Sequence, residues 1–227
     1  MIKEIVVAGI KLYNYSVLEN LTQIAKNLEA NVFTTIGDVY MKTILLAKED
    51  ESVKETLESL DITVIAETGI LDAVGQMTLL RRAEIERRDF FLQLMRVFER
   101  NGYTIYVLGK EAKEVECACQ HIAKEFPRIK VVGSKALAEM EHTEDSAIND
   151  INKIAPDVIL SVLPSPMQEL FLKEYKSMFL TKIWYGIGTH DLAVGKKHTF
   201  SKWVKKLVCM ITLKKYVEEE NSKESEE

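Results

Sequence analysis

The sequence contains few residues that cross-link or interrupt a fold. Its 227 residues include three cysteines; Cys117 and Cys119 lie two apart on a predicted helix, and Cys209 is remote. This odd count and this spacing argue against a disulfide or a metal site and indicate a reducing cytosol. Because there are only four prolines and ten glycines, no segment resembles an interdomain linker.

Long apolar segments are also absent. The longest apolar runs, such as residues 207–211, fall far short of the ~20 residues that a membrane-spanning helix needs. Residues 1–10 contain a short apolar run but lack the extended apolar region and the cleavage site of a signal peptide. We therefore expect a cytoplasmic protein that does not cross a membrane.

Positive and negative charges are concentrated in different segments of the chain. There are 30 Lys and Arg against 35 Asp and Glu, so the formal net charge is −5. Residues 192–217 hold seven lysines and no acidic residue, whereas residues 218–227 hold six glutamates and one lysine. We therefore expect an acidic body over residues 1–195, a basic amphipathic appendage over 196–217 and a disordered acidic tail over 218–227.

Segments of two periodicities alternate along the acidic body. Strand-like runs rich in Val and Ile alternate with helical patterns, and Ser16 with Glu19, Asp50 and Asp89 are suitable helix caps. This alternation predicts a single α/β domain with a Rossmann-like, doubly wound, mostly parallel sheet, followed by a C-terminal basic amphipathic helix. The predicted strands cover residues 4–9, 31–36, 62–66, 103–108, 129–133, 157–163 and 182–187.

The loops that follow the strands are the candidate sites, because such sheets bind ligands at the carboxyl ends of their strands. None contains a P-loop or the GxGxxG of a dinucleotide fold, so an ATP or nicotinamide enzyme is unsupported. One loop reads Pro164-Ser165-Pro166-Met167-Gln168-Glu169. With Ser165 as N-cap, helix capping alone explains this pattern, although a positive helix end also suits a diphosphate or a sugar.

The loop after the last predicted strand reads Gly186-Ile187-Gly188-Thr189-His190-Asp191. Its glycines allow either a close approach to a ligand or a tight turn. The two loops together resemble the signature of the WecG/TagA/CpsF family of bacterial glycosyltransferases. That family has a P-x-Q-E element, followed further along by a strand ending G-x-G and then by D-x-x-A-G, which Asp191 and Gly195 match in part. The resemblance covers residues 86–195 well and residues 1–85 loosely.

This resemblance implies a reaction. It is the inverting, metal-independent transfer of N-acetylmannosamine or a related sugar from UDP to the N-acetylglucosamine of a polyprenyl-diphosphate lipid, in the synthesis of wall teichoic acid or a related cell-wall polymer. The UDP-sugar is then a co-substrate, and neither a cofactor nor a metal is implied. Glu67 is the nearest replacement for the Asp that is the family's proposed base, and Thr35 and Gln168 position the substrate.

The resemblance also implies a set of substrate-binding residues around these three. Gly37 stands where the family has an Asn, and Pro164 stands where it has a Gly. The implied substrate-binding residues are Gly37, Gly69, Arg87, Asp89, Gly109, Ser165, Glu169, Gly186, Gly188 and Asp191.

A basic amphipathic pattern begins at Phe200, with apolar residues at helical spacing and lysines opposite them. Such a helix either packs on the sheet or lies on an anionic membrane, where a lipid-linked acceptor is found. In the second case the protein is peripheral on the inner face of the cell membrane. The contacting residues are then Lys202, Trp203, Lys205 and Lys206. The acidic body argues against nucleic acid as a partner.

Two other functions stay open on the sequence alone. The replacements at Glu67 and Gly37 fit a non-catalytic descendant of the same fold that binds a nucleotide-sugar or a protein partner. The P-x-Q-E match also fits an unrelated Rossmann-like enzyme in which it is only a capping box. The sequence leaves open whether the protein forms a homo-oligomer.

Overall fold

The computed structural model describes residues 3–139, 144–189 and 200–224, and within them all side chains except those of residues 139, 144–146, 200–204, 223 and 224. Its strands fall into an antiparallel hairpin and a six-stranded parallel sheet with the order β4-β3-β8-β7-β5-β6. The strands are β1 Glu4–Val7, β2 Ile10–Tyr13, β3 Thr34–Val39, β4 Ile62–Ile65, β5 Thr104–Gly109, β6 Lys130–Ala136, β7 Val158–Ser161 and β8 Ile183–Gly186.

Helices cover both faces of the sheet, so the predicted doubly wound α/β fold is confirmed. One core cluster joins the sheet to the hairpin, α2, α3, α8, α9 and α10, and the other joins it to α1, α6 and α7. The helices are α1 Val17–Glu29, α2 Met41–Glu49, α3 Glu51–Glu58, α4 Thr68–Ala73, α5 Leu79–Arg87, α6 Asp89–Asn101, α7 Ala112–Glu125, α8 Glu144–Ile154, α9 Met167–Tyr175 and α10 Phe200–Glu224, with 3-10 turns at Leu137–Glu139 and Lys176–Met178.

Local capping patterns predicted the starts of α1 and α3 correctly and the start of α6 incorrectly. Ser16 and Glu19 form the reciprocal capping box of α1, and the Asp50 carboxylate accepts from the Ser52 N–H at the start of α3. Asp89, in contrast, is the first residue of α6, and Arg88 precedes it in the left-handed conformation. The left-handed backbone at Arg88 separates α5 from α6. The residue before α6 is therefore not in the extended conformation that N-cap residues usually have, and it makes no side-chain cap.

The first predicted strand does not join the large sheet. Ala8 and Gly9 both have positive φ, and this two-residue turn folds β1 back on β2, which the sequence analysis missed. β3 also begins three residues later than expected and runs on to Val39. The predicted loop at Gly37 therefore lies inside a strand, and the chain leaves the sheet only at Tyr40.

Two hydroxyl–carboxylate pairs tie neighbouring strands together at the amino edge of the sheet. The backbone N–H and hydroxyl of Thr35 donate to Asp61 Oδ2 at 2.8 and 2.7 Å, and the Asp61 N–H donates back to the Thr35 hydroxyl. Thr104 and Asp157 repeat this arrangement between β5 and β7. Thr35 therefore lies at the edge opposite the ligand loops, which corrects its expected role in positioning the substrate.

The C-terminal helix α10 packs on the body along one side. Leu213 and Val217 are buried, whereas Val208 and Ile211 on the other side are 56% and 58% exposed. The helix continues through residues 218–224, which were expected to be disordered, and Glu220 forms an ion pair with Lys48 on α2. Within the described ranges, no helix is long and apolar enough to cross a membrane.

Candidate active site

A cavity lies at the carboxyl ends of β3, β7 and β8. It encloses about 370 Å³, part of which is open to solvent. The Tyr40 hydroxyl donates to the Ile187 carbonyl at 3.1 Å and holds the loops after β3 and β8 together beside it. The cavity is lined by Asp38, Tyr40, Lys42, Thr43, Pro164, Ser165, Gln168, Gly188 and Thr189. We call this space the hydroxyl cavity, because Thr43, Ser165 and Thr189 present hydroxyl groups along its lining.

Ser165 contributes to this cavity but does not cap α9. The Ser165–Pro166 peptide bond is cis, and α9 begins at Met167 with Pro166 in the N-cap position. The Ser165 hydroxyl instead donates to Glu169 Oε1 at 2.8 Å and lies 3.2 Å from the Thr43 hydroxyl. The predicted capping box is therefore wrong, and its serine is available to a ligand.

Gln168 connects α9 to the loop after β8. Its Oε1 accepts the Gly188 N–H at 3.2 Å, and its amide packs on Gly186, where a Cβ atom would lie 2.6 Å from Nε2. Gly188 has a φ of +64°, a conformation that other residues rarely adopt. The structure thus brings together Ser165, Gln168, Gly186 and Gly188, which the sequence analysis assigned to one site.

Glu169 is a buried carboxyl group beneath the hydroxyl cavity. Its residue is only 4% exposed, and Oε2 is buried with no hydrogen-bond partner among the described residues. Burial raises the pKa of this carboxyl, against the lowering effect of hydrogen bonds from Ser165 and its neighbours. Lys42 on α2 and Asp38 on β3 are the nearby charged groups.

Glu67 lies at the carboxyl end of β4 and uses both oxygens for other contacts. Its Oε2 accepts the Met41 N–H at 2.8 Å, at the start of α2, and its Oε1 is 3.6 Å from the Lys206 ammonium of α10. A carboxylate in this position completes the N-terminus of α2, whose preceding Tyr40 makes no side-chain cap. Glu67 does not belong to the lining of the hydroxyl cavity.

A second cavity of about 420 Å³, part of it open to solvent, lies on the other side of Asp38, between α1, α5 and α6. Asp38 accepts a hydrogen bond from Tyr185 at 3.0 Å and lines both cavities. Arg81 and Arg88 line the second cavity, whereas the predicted Arg87 is exposed at the end of α5 and Asp89 is half-buried at the start of α6. Arg88, at the left-handed turn between α5 and α6, lines this cavity, and the predicted Arg87 does not.

Sequence reasoning missed Asp38, Thr43 and Arg81 as site residues. An acidic residue inside the otherwise uncharged strand β3 was the available signal for Asp38, since buried strands seldom contain a carboxylate. Thr43 had no such signal, because α2 itself was not predicted. Arg81 lies in a segment of mixed charges, a pattern typical of a solvated helix face, yet it is buried and contacts Asn14 and Glu84.

Three of the predicted glycines serve packing. A Cβ atom would lie 2.7 Å from Leu60 at Gly37, 2.6 Å from Met41 at Gly69 and 2.7 Å from Val115 at Gly109. These contacts give the three glycines a packing role, and their expected role in binding the substrate stays a prediction. Asp191 lies outside the described residues, as do the side chains of Lys202 and Trp203, whereas Lys205 and Lys206 are exposed on α10.

No group of three or more His, Cys, Asp or Glu side chains in the described part of the chain is placed to hold a metal ion. The site presents hydroxyl, amide, ammonium and guanidinium donors beside the carboxyl groups of Asp38 and Glu169. Donors of these kinds bind sugars and diphosphates.

Comparison with known proteins agrees with this chemistry. Residues 5–212 match the model of the family described as "Glycosyl transferase WecG/TagA/CpsF family". The chain is also 23% identical over 195 residues, covering 83% of its own length and 75% of the other chain, to the N-acetylglucosaminyldiphosphoundecaprenol N-acetyl-beta-D-mannosaminyltransferase of Bacillus subtilis (strain 168). The resemblance inferred from the two loops is confirmed, and the chain belongs to the WecG/TagA/CpsF family of glycosyl transferases.

Proposed function

We propose that this chain transfers N-acetylmannosamine or a related sugar from a UDP-sugar to the N-acetylglucosamine of a polyprenyl-diphosphate lipid, in the synthesis of a cell-wall polymer. The observation that carries this proposal is the hydroxyl cavity, where Gln168 holds the Gly188 loop beside Ser165 and Thr43. The relative from Bacillus subtilis, whose name gives N-acetylmannosamine as the sugar and N-acetylglucosaminyldiphosphoundecaprenol as the acceptor, supports the choice of sugar and acceptor.

Transfer of this kind needs donors for the departing diphosphate and a group that takes the proton of the acceptor hydroxyl. Lys42 at the hydroxyl cavity and Arg81 and Arg88 at the second cavity supply positive charge on the two sides of Asp38. We propose an inverting reaction that requires no metal, because the positive charge that a metal would supply to the diphosphate is supplied here by side chains.

The test is transfer from UDP-N-acetylmannosamine to a short-chain lipid-diphosphate acceptor, measured as UDP release and as disaccharide product, with and without a chelator. Gln168→Ala is expected to lower kcat/KM by about tenfold or more, because the Gly188 loop loses its tether. Leu180→Ala, at an exposed position remote from the cavity, is the control for substitution as such. No product with any UDP-sugar donor would contradict the proposal.

A second candidate is a protein that binds a nucleotide-sugar without transferring it. The observation that favours it is that both oxygens of Glu67, the nearest replacement for the family's Asp, are engaged by Met41 and Lys206. Calorimetric binding of UDP without turnover on a panel of donors would support this function over the first.

We also propose that the outer side of α10 meets an anionic membrane, where the acceptor lipid is found. Val208 and Ile211 lie three residues apart, are exposed, and face away from the buried Leu213, and the exposed Lys205 lies one turn before Val208. Such a side combines charge attraction with apolar contact, as surface-bound helices do.

A further inference from the structure

We propose that Ser165 takes the proton of the acceptor hydroxyl and passes its own proton to Glu169. This inference rests on the proposed function and names the path by which that reaction loses its proton. In this scheme Ser165 is the catalytic residue, because it touches the substrate, and Glu169 acts through it.

The geometry of three side chains carries the inference. The Ser165 hydroxyl already donates to Glu169 Oε1 at 2.8 Å, so its own oxygen is left to accept. The Thr43 hydroxyl lies 3.2 Å from it, and both residues line the hydroxyl cavity, where a sugar hydroxyl of the acceptor would find them. Glu169 lies behind Ser165 at the inner end of this chain of groups.

The step balances without a further reactant. The acceptor O–H bond breaks as its proton moves to Ser165 Oγ, while the Ser165 proton moves to Glu169 Oε1. The acceptor oxygen then forms its bond to the anomeric carbon, and the bond between that carbon and the diphosphate oxygen breaks, with UDP keeping the electron pair. When the product leaves, the proton returns through Ser165 to solvent.

The surroundings of Glu169 favour the proton once it has arrived. A small cavity lined by Ile36, Leu57, Leu60, Leu172 and Trp184 adjoins its carboxyl group, and an apolar environment stabilises a neutral acid over a carboxylate. Among charged groups, Lys42 from α2 and Asp38 from β3 face this region, and Thr56 of α3 adds an uncharged hydroxyl. The raised pKa of Glu169 is consistent with a group that accepts a proton during turnover.

Glu67 is the competing proton acceptor, and it is placed differently. Its oxygens contact the Met41 N–H and the Lys206 ammonium, and the hydroxyl cavity does not include it. The hydroxyl groups of Ser165 and Thr43 connect Glu169 to the hydroxyl cavity, whereas Glu67 contacts an N–H and an ammonium group. Glu169→Gln and Glu67→Gln are therefore matched variants, because each removes the charge of one carboxyl group and keeps the shape of the side chain.

The experiment compares wild type, Glu169→Gln, Ser165→Ala, their double variant and Glu67→Gln at a series of pH values from the ordinary carboxyl pKa of 4.5 upward. We expect Glu169→Gln and Ser165→Ala each to lower kcat by about 100-fold, the lower end of the range for acid–base groups. The KM for the UDP-sugar should change little. The double variant should be no slower than either single variant, because both lie on one path.

The pH profile separates a proton path from a merely structural role. In wild type, kcat should fall toward acid pH as Glu169 becomes protonated, and Glu169→Gln should lose this acidic limb, whereas Glu67→Gln should keep it. Thermal unfolding and UDP affinity show whether each variant is folded. If Glu169→Gln fails to fold, Ser165→Ala carries the same test, since it removes one half-buried hydroxyl.

The outcomes distinguish the two proposals. If wild type transfers the sugar and Glu169→Gln keeps either the wild-type rate or the acidic limb, the relay is overturned and the proposed function stands. Loss of the acidic limb in Glu67→Gln alone would assign the proton to Glu67. Absence of transfer by wild type would overturn the proposed function and the relay with it.

Discussion

A hydroxyl and a carboxyl group meet at both edges of the central sheet, but in different arrangements. At the amino edge, Thr104 and Asp157 exchange three hydrogen bonds, and Lys182 closes the group with an ion pair at 2.7 Å. At the carboxyl edge, Ser165 makes one bond to Glu169, whose second oxygen has no partner among the described residues. The first arrangement is complete in itself, and the second has room for a ligand.

The two carboxyl groups also respond to their surroundings in opposite directions. For both, burial acts to raise the pKa, and for Glu169 it prevails. For Asp157 the hydrogen bonds from Lys182 and Thr104 prevail and lower the pKa. The residue types of a hydroxyl–carboxyl pair therefore do not reveal its role. The role depends on how many of its hydrogen bonds are satisfied and on whether a ligand can reach the pair.

Breaking the amino-edge pair should cost the most stability. Asp157→Ala leaves the Thr104 N–H and hydroxyl without their acceptor and removes the ion pair with Lys182. Since hydrogen bonds to charged groups are worth about 1.5–3 kcal/mol, we expect the free energy of unfolding in urea to fall by about 2–3 kcal/mol. Ser165→Ala at the other edge should cost roughly 1 kcal/mol or less, since it removes a single bond.

Lys182→Met is the matched control for this prediction. It removes the exposed ion pair and keeps both Thr104 bonds, so the loss should be about 0.2–1 kcal/mol. An Asp157→Ala variant no less stable than Lys182→Met would show that the exchange between Thr104 and Asp157 does not hold β5 to β7.

Two glycines paired across β3 and β8 give a second comparison. Gly37 and Gly186 are register partners, and a Cβ atom would meet Leu60 at the first and the Gln168 amide at the second. Overpacking of this kind costs about 1–3 kcal/mol, so Gly37→Ala and Gly186→Ala should lower stability to a similar extent. The loss of transfer activity should be larger for Gly186→Ala, because a displaced Gln168 releases the Gly188 loop.

Steady-state kinetics on both variants, at a temperature where each remains folded, measure this difference. Equal losses of kcat/KM in the two would show that Gln168 does not position the site through Gly188.

Because the pKa of Glu169 is raised and that of Asp157 is lowered, the two groups should make stability respond to pH in opposite directions. The folded pKa of Glu169 lies above its unfolded value of 4.5, so its destabilising effect is absent below that pH and grows as pH rises through the folded pKa. Glu169→Gln should therefore gain stability relative to wild type as pH increases. The folded pKa of Asp157 lies below 3.8, so its contribution is present above that pH and is lost on acidification.

Urea unfolding of wild type, Glu169→Gln and Asp157→Ala at pH values on both sides of the ordinary carboxyl pKa values of 4.5 and 3.8 tests both signs. A stability difference between wild type and Glu169→Gln that does not change with pH would contradict the raised pKa.

The predictable parts of the molecule were those that local rules decide. The Ser16 capping box and the apolar strands β5, β7 and β8 follow from neighbouring residues, and the structure contains them. The start of β3 was misplaced by three residues, and this shift moved Thr35 to the wrong edge of the sheet in the sequence analysis. The pairing with Asp61 shows where Thr35 lies, and that contact joins two segments that the sequence separates.

The site residues divide in the same way. Gln168 and Ser165 were found through the P-x-Q-E pattern, but the function of that pattern was misjudged, because capping rules do not contain the contact between Ser165 and Glu169. Asp38 and Arg81 were missed since their burial depends on helices packed from elsewhere in the chain. Local sequence indicates which loops carry the site, and tertiary packing decides which side chains enter it.

The smallest expected effect is that of the charged residues along α10 on membrane binding. Lys206 lies beside Glu67 at the carboxyl edge, and Glu220 lies beside Lys48 at the far end of α2. Deleting residues 218–227, which hold six glutamates and one lysine, should strengthen binding to anionic vesicles by roughly twofold at low salt, because distant charges are partly screened. Lys205→Gln should weaken it by about fivefold, the effect of about 1 kcal/mol for a lysine near the surface. Co-sedimentation with vesicles at low and high salt measures both. Binding that neither change alters would show that α10 serves the core alone and that the carboxyl edge meets its acceptor in another way.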